Sequence, residues 1–246
     1  MRFLATLAAI FIAIPMMAQT ETIQPLDPGA ATVTRTFSLR SGGVLKIANR
    51  NGDVKVTAWD REEVELIARL KPNSKDEHVS IEVTSNSRSL DLIVKYPKNR
   101  KIVGRPASCE MELKVPRRIV GNISNRNSAI SLHGISGDNR IGTRNGKISL
   151  DDVSGYLVVK TRNGGVHGDV LHLGRDVSIS TRNGAIDIKL VDPDAKFNAT
   201  SRNGAINLRT PGVKDFKAKA KSVSAVFADG RANISLVSRN GQIFVQ

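Results

Sequence analysis

A basic tripeptide recurs along the sequence, as Arg126-Asn127-Ser128, Arg144-Asn145-Gly146, Arg162-Asn163-Gly164, Arg182-Asn183-Gly184, Arg202-Asn203-Gly204 and Arg239-Asn240-Gly241. A guanidinium is always charged and presents a planar fork of donors that matches carboxylate or phosphate, so an array of them at fixed spacing can grip a polyanion. Successive arginines lie 18, 18, 20, 20 and 37 residues apart, and the last gap holds Lys221-Ser222 near its middle. Read as a degenerate unit, Lys221 joins the arginines, and the candidate polyanion-binding edge becomes Arg126, Arg144, Arg162, Arg182, Arg202, Lys221 and Arg239. An earlier copy, Arg50-Asn51-Gly52, stands 76 residues upstream of Arg126 with no tripeptide between them.

Other chemistry is sparse. Asp151-Asp152 and Asp192-Pro193-Asp194 fall where turns are expected, and aspartate is favoured there for bonding local backbone. A glycosidase pair projects from one face at a fixed separation instead. Calcium would find oxygen ligands at either place, but the turn reading is the simpler one. His78, His133, His167 and His172 lack the spacing of a zinc site, and no serine elbow, phosphate loop or dinucleotide fingerprint occurs. No catalytic, cofactor-binding or metal-binding residue is assigned, no cofactor is expected, and the chain is not read as an enzyme. Trp59, Tyr96 and Tyr156 are too few for a sugar-stacking cleft, and Trp59 is expected to pack over the first strands.

The elements that must position the arginines emerge when the units are aligned on the basic residue. Three positions before it stand Ile47, Ile123, Ile141, Val159, Ile179, Ala199, Ala218 and Leu236, and four positions after it Val54, Ile130, Ile148, Val166, Ile186, Ile206, Ala225 and Ile243. A further column, six positions after, holds Val56, Leu132, Leu150, Gly168, Ile188, Leu208, Phe227 and Val245. Each unit therefore reads as strand, corner, strand, with β-branched residues facing a core. Counting in twos from the apolar column turns the small polar residue before the arginine inward, the arginine outward, and the asparagine after it inward. Glycine is expected to supply a positive φ at the corner, and stacked asparagines to hydrogen-bond along their column.

A period of 18 to 20 residues with the same residue at the same place predicts a β-solenoid, single-stranded and β-helix-like. Asn-Gly is equally good as a hairpin turn, so the alternative is an antiparallel β-meander of Asn-Gly hairpins. The inward small-polar column favours the solenoid, since it has no purpose at a hairpin tip. Upstream, short runs such as Val64 to Leu70 and Leu90 to Val94, separated by Gly, Asn, Pro and Ser, predict an N-terminal β-rich region over 33–118. The repeat solenoid follows over 119–246, helix is expected to be nearly absent for want of a 3.6-residue apolar period, and the two regions are expected to be continuous.

Residues 1–18 read as a signal peptide, with Arg2, an apolar run from Phe3 to Ile14 and the small residue Ala18, and residues 19–32 as a flexible leader. The apolar run is too short to span a bilayer and none longer follows, so no transmembrane span is expected. The mature protein is placed in the periplasm, at the cell surface or outside the cell. There Cys109 has no intramolecular partner, and it reads as a small buried hydrophobe, with an intermolecular bridge as the alternative. The full sequence carries 37 Lys and Arg against 23 Asp and Glu, a net +14. Such a balance favours polyanions. In an exported protein this means an anionic glycan or envelope polymer, or a protein partner, and nucleic acid is not expected.

At these residues the sequence resembles the putative adhesin family of exported bacterial β-strand-repeat proteins, whose function is unknown. The resemblance rests on Phe37-Ser38-Leu39, on Gly42 to Ile47, on Asn51-Gly52-Asp53-Val54, on Ala58-Trp59-Asp60, on Val115-Pro116-Arg117 and on the Asn-Gly units beyond. It implies a β-helix-like exported protein with a surface or envelope role. Arginine at nearly every corner is this chain's departure. Two functional classes follow: a non-catalytic envelope adhesin or scaffold binding an anionic polymer or protein, and a glycan-processing enzyme on a β-helix. Carboxylates converging in one groove would mark the second.

Overall fold

The computed structural model describes residues 18–24, 30–72, 78–96, 106–172 and 174–246. The expected signal peptide lies outside the described residues but for Ala18. Within them the chain is all β, and each repeat unit contributes one strand to each of two sheets. The strands are β1 (Gln19–Ile23), β2 (Ala31–Ser38), β3 (Val44–Ala48), β4 (Val54–Trp59), β5 (Glu63–Lys71), β6 (Ser80–Asn86), β7 (Ser89–Lys95) and β8 (Ser108–Pro116). The repeats follow as β9 (Arg118–Ser124) with β10 (Ile130–His133), β11 (Ser136–Thr143) with β12 (Ile148–Ser154), β13 (Leu157–Thr161) with β14 (Val166–His172), β15 (Val177–Thr181) with β16 (Ile186–Val191), and β17 (Ala195–Ser201) with β18 (Ile206–Leu208). The chain ends with β19 (Val213–Lys219), β20 (Ser222–Phe227), and β21 (Ala232–Ser238) with β22 (Ile243–Val245).

Sheet A has the order β1-β6-β7-β3-β9-β11-β13-β15-β21-β17-β20-β19, and sheet B the order β18-β22-β16-β14-β12-β10-β4-β8-β5-β2. The repeat strands pair in parallel with matched register, as in Ile141 beside Val159 and Ile148 beside Val166. This is the expected solenoid, with the Arg-Asn-Gly tripeptide turning each rung from sheet A into sheet B. The β7/β8 pair also stacks in parallel, on β3/β4, so the N-terminal region continues the same body. Antiparallel strands close its N-terminal end, with β6 and β1 on one sheet and β5 and β2 on the other. Residues 19–23, expected within a flexible leader, instead form β1 against β6, and Ala31 and Thr32 open β2.

The core lies between the sheets. Alternation places the apolar columns there: Ile130, Ile148, Ile186 and Ile243 are each 0% exposed. Cys109 is buried among them, and burial pushes its thiol up to about 12. Trp59 is half-buried on its strand, with its Nε1 donating to the Glu63 carbonyl at 2.8 Å and Arg61 and Lys114 against its ring.

The order of the last rungs departs from the sequence. Arg202 and Arg182 were expected on neighbouring rungs, but β21/β22 lies between β15/β16 and β17/β18. The expected degenerate unit around Lys221 is not a rung at all. Residues 213–227 form an antiparallel hairpin, β19–β20, on the far side of β17, and Lys221 sits at its tip. The cause of the discrepancy is physical: alternation of apolar and polar residues reports a half-buried strand, and it is identical for parallel and antiparallel neighbours. Ala225 and Phe227 are buried as the alignment required, but in a returning strand, where Phe227 meets Phe197 edge to face at 6.1 Å.

The burial difference between corner and core has a measurable consequence. Ile186→Ala should destabilise by roughly 2–5 kcal/mol through the cavity it leaves, whereas Arg182→Ala, on the exposed corner, should stay within about 0.5 kcal/mol. Chemical denaturation of both variants checks this, and equal shifts would contradict the assignment of faces.

Candidate functional site

Each corner solves the same packing problem in three side-chain layers. The innermost is the small polar residue that precedes the arginine: Asn125, Thr143, Thr161, Thr181, Ser201 and Ser238 are all buried. Their side chains reach back to a carbonyl of the neighbouring corner. Thr161 Oγ1 donates to Gly146 O at 3.3 Å, Thr181 Oγ1 to Gly164 O at 2.9 Å, Ser238 Oγ to Gly184 O at 3.1 Å and Ser201 Oγ to Gly241 O at 2.8 Å. Asn125 Nδ2 does the same for Gly52 O at 2.8 Å. A carbonyl turned into the core would otherwise go unsatisfied, at a cost of about 1–3 kcal/mol.

The glycine of the tripeptide forms the second layer. Positive φ is found only at Gly52 among the corner glycines, so the expected conformational reason is corrected. The requirement is room. A Cβ on Gly164 would lie 1.9 Å from Gly146 O, and one on Gly241 would lie 1.9 Å from Gly184 O, so each corner backbone rests directly on the next. Ser128 is tolerated in place of glycine because its neighbour Gly52 takes a different conformation and donates its N–H to Ser128 Oγ at 3.0 Å.

The asparagines form the third layer and a continuous amide ladder. Nδ2 donates to Oδ1 of the neighbouring rung at 2.8 Å from Asn127 to Asn51, Asn145 to Asn127, Asn163 to Asn145 and Asn183 to Asn163. The spacing is 2.7 Å from Asn240 to Asn183 and from Asn203 to Asn240. The stacking was expected, but the direction is corrected: Asn127 through Asn240 are exposed, because the corner breaks the alternation on which the parity count relied. Asn203 meets Asn240 and not Asn183, as the inserted rung requires. At the N-terminal end Asn51 Nδ2 donates to Ala107 O at 2.9 Å, and the Tyr96 hydroxyl accepts from Asn51 N–H at 3.0 Å and donates to Asn49 Oδ1 at 2.5 Å. Burial of Tyr96 lifts its phenol to about 12, which keeps it a donor across the physiological range.

Outside these layers stand the arginines. In spatial order the row runs Arg50, Arg126, Arg144, Arg162, Arg182, Arg239 and Arg202, all exposed. Neighbouring backbones are about 4.8 Å apart, the strand spacing of a sheet. Among the described residues, none of the seven is ion-paired. Asp187, a neighbour of the Arg182 corner in sequence, lies 3.4 Å from His167. Arg50 completes the row at one end, and its own tripeptide was the signal for it. Lys221 is the one candidate that leaves the row: its carbonyl accepts from Ser201 N at 3.1 Å beside the Arg202 corner, but its side chain belongs to the hairpin tip. Arg and Asn of five consecutive rungs, from Arg144 to Arg202 in space, line a shallow open trough.

Carboxylates lie elsewhere. Asp151 sits in β12 and not in a turn, within 2.6 Å of His133 Nδ1. Asp152 follows at φ 50°, 3.6 Å from Arg117. Asp194 caps the neighbouring turn: its Oδ1 accepts from Asp229 N at 2.9 Å and Arg231 N at 3.2 Å. Among the described residues no three His, Cys, Asp or Glu side chains gather as a metal site would require.

A family model described as Toastrack DUF4097 matches residues 121–246, the stretch that carries the regular corners. No curated protein matches the chain. Among solved structures, a putative cell adhesion protein from Clostridium sporogenes ATCC 15579 is similar at 13% identity and a TM-score of 0.41, over 87% of this chain and 99% of that one.

The stacked glycines give a sharp contrast between two substitutions. Gly164→Ala should destabilise by roughly 1–3 kcal/mol or more, because its methyl meets a backbone carbonyl that cannot swing away. Gly174→Ala, where a Cβ would meet nothing within 4 Å, should stay within about 0.5 kcal/mol. Thermal melts of the two variants check the difference.

Proposed function

The chain belongs to the Toastrack DUF4097 family, and from that premise we propose that this member is an exported, non-catalytic binding protein whose arginine–asparagine corner holds a linear anionic polymer of the cell envelope or surface. The observation that carries the reading is the row of seven unpaired guanidinium groups at rung spacing. Two bare charges 4 Å apart repel by about 1 kcal/mol even in water, and the row keeps them aligned with no ion-pair partner among the described residues. A polymer bearing carboxylate, sulfate or phosphate groups supplies that charge along its whole length, with guanidinium forks on its oxygens. The asparagine ladder adds to this, since a side-chain amide carries two N–H donors and the ladder uses one of them on each rung.

The export of the chain is part of the proposal and rests on the basic start, apolar run and small residue of positions 1–18. Among the described residues no helix is long and apolar enough to cross a membrane. The glycan-processing alternative gains no support from the trough, whose lining holds arginine and asparagine but no carboxylate. Acid–base cleavage of a glycosidic bond asks for two carboxyl groups across the bond.

Retention on immobilised heparin tests the proposal. Wild type should elute late in a salt gradient, and a variant carrying Arg144→Gln, Arg162→Gln, Arg182→Gln and Arg239→Gln, four neighbours in space, should elute at clearly lower salt. Binding should also weaken steeply with ionic strength, since exposed charges are screened over about 8 Å at physiological salt. Unchanged retention of the variant would show that the corner is a solvated edge and that the net charge acts elsewhere.

A further inference from the structure

We propose that the arginine row is a ruler, and that the polymer it takes is a linear polyuronate, a chain of hexuronic acids with one carboxylate on every sugar. This rests on the reading of the corner as a polyanion site, and adds what decides its choice among polyanions. The observation that carries it is periodicity without a gap. From Arg50 to Arg202 in space, each of seven successive rungs presents one exposed arginine at the same place.

Backbone bonds hold the spacing. The carbonyl of each arginine accepts from the asparagine N–H of the next rung: Arg50 O from Asn127 at 2.9 Å, Arg126 O from Asn145 and Arg144 O from Asn163 at 2.8 Å, and Arg162 O from Asn183 at 2.9 Å. The same bond, at 3.0 Å, joins Asn240 to Arg182 and Asn203 to Arg239. The roots of the guanidinium stems are thereby fixed at the strand spacing of about 4.8 Å, and only the stems move. A row of charges seated on rigid backbone loses little freedom when a ligand of the same period lies along it.

The ground beside the row is low. Three places after the arginine, on the sheet B side, stand small residues such as Gly165, Ala185 and Ala205, and two places before it, on the sheet A side, Gly142, Ser180 and Thr200. Lys147 and Lys160, at the same two flank positions, add positive charge. The one carboxylate at these positions is Asp53, at the Arg50 end, and its Oδ1 accepts from Ala129 N at 2.9 Å. A chain as broad as a row of sugar rings can therefore lie lengthwise over the corners, with guanidinium groups standing along it.

Period then selects among polyanions. A pyranose linked through opposite ring positions advances its chain by one ring and one bridging oxygen, which is close to one rung. With a carboxylate on each sugar, every guanidinium fork meets one anion. Where the carboxylates alternate from side to side of the ribbon, neighbouring stems splay to opposite sides, which also relieves their mutual repulsion. A glycan charged on every second sugar leaves alternate arginines unmet. A polyol phosphate, with a longer run of backbone bonds between charges, falls out of step along the row.

Size-defined oligogalacturonates, hyaluronate oligomers with the same number of carboxylates and a glycerol phosphate oligomer of the same charge, titrated calorimetrically into the full chain, test the ruler. Oligogalacturonate should bind at least tenfold more tightly than either of the others. Its affinity should rise with each added sugar and level off at about seven, the length of the row. Two variants of equal net charge separate spacing from charge. Arg126→Gln, Arg162→Gln and Arg239→Gln together empty alternate rungs, and should abolish the preference for galacturonate over hyaluronate. Arg50→Gln, Arg126→Gln and Arg144→Gln together empty one end, and should keep the preference while the plateau shortens to about four sugars. Circular dichroism establishes that each variant is folded. Equal affinities for the three oligomers, tighter binding of the glycerol phosphate oligomer, or the same loss of preference in both variants would overturn the ruler and leave the polyanion site standing. Binding that neither variant weakens, or no binding of any oligomer, would overturn both.

Discussion

The body depends on the contact between stacked corners, where one glycine lies directly on the carbonyl of the next. At Gly146, Gly164, Gly184, Gly204 and Gly241 no side-chain atom fits into that gap. Because the gap is fixed, the polar side chain behind it reaches the neighbouring corner's carbonyl at 2.8–3.3 Å, and the asparagine in front of it reaches its neighbour's amide at 2.7–2.8 Å. The apolar columns then fall into register without further instruction, since a slip of one residue would turn each column to the other face.

The same contact dictates where charge goes. A corner whose inner position is polar and buried, whose third is glycine on every rung but that of Ser128 and whose second carries the ladder leaves one position free to vary, and that position faces solvent. Arginine there is repeated at the strand spacing, with no ion-pair partner among the described residues. The structural layers are therefore complete without the arginines. Their alignment is a consequence of the stacking, whereas their identity is not needed by the fold.

The sequence made the period, the columns and the corner legible because each rung poses the same local problem and answers it with the same residue types. What it hid was non-local. Tyr96 finishes the ladder through Asn49, 47 residues away, and no spacing announces it. Glycine at the corner looked like a conformational need, because a sequence cannot tell positive φ from close approach. The asparagines were turned inward by a count that held along each strand and failed through the bend. Rung order was hidden most deeply: residues 213–227 fill the gap between Arg202 and Arg239 with about one period of correctly alternating strand, and only tertiary pairing reveals that it returns as a hairpin.

The insertion of β21/β22 between two earlier rungs bears on how such a chain changes length. Between Arg126 and Arg182 the next rung in sequence is also the next in space, so duplicating or deleting one unit of 18 or 20 residues lengthens or shortens the stack and leaves every interface of the same kind. Beyond Arg182 that freedom ends. A unit added after β18 would fall outside the place kept for the final strands, and a unit lost there would leave them with a single neighbour. Variation in rung number is thereby channelled into the middle of the molecule, while its C-terminal three rungs are inherited as one indivisible piece.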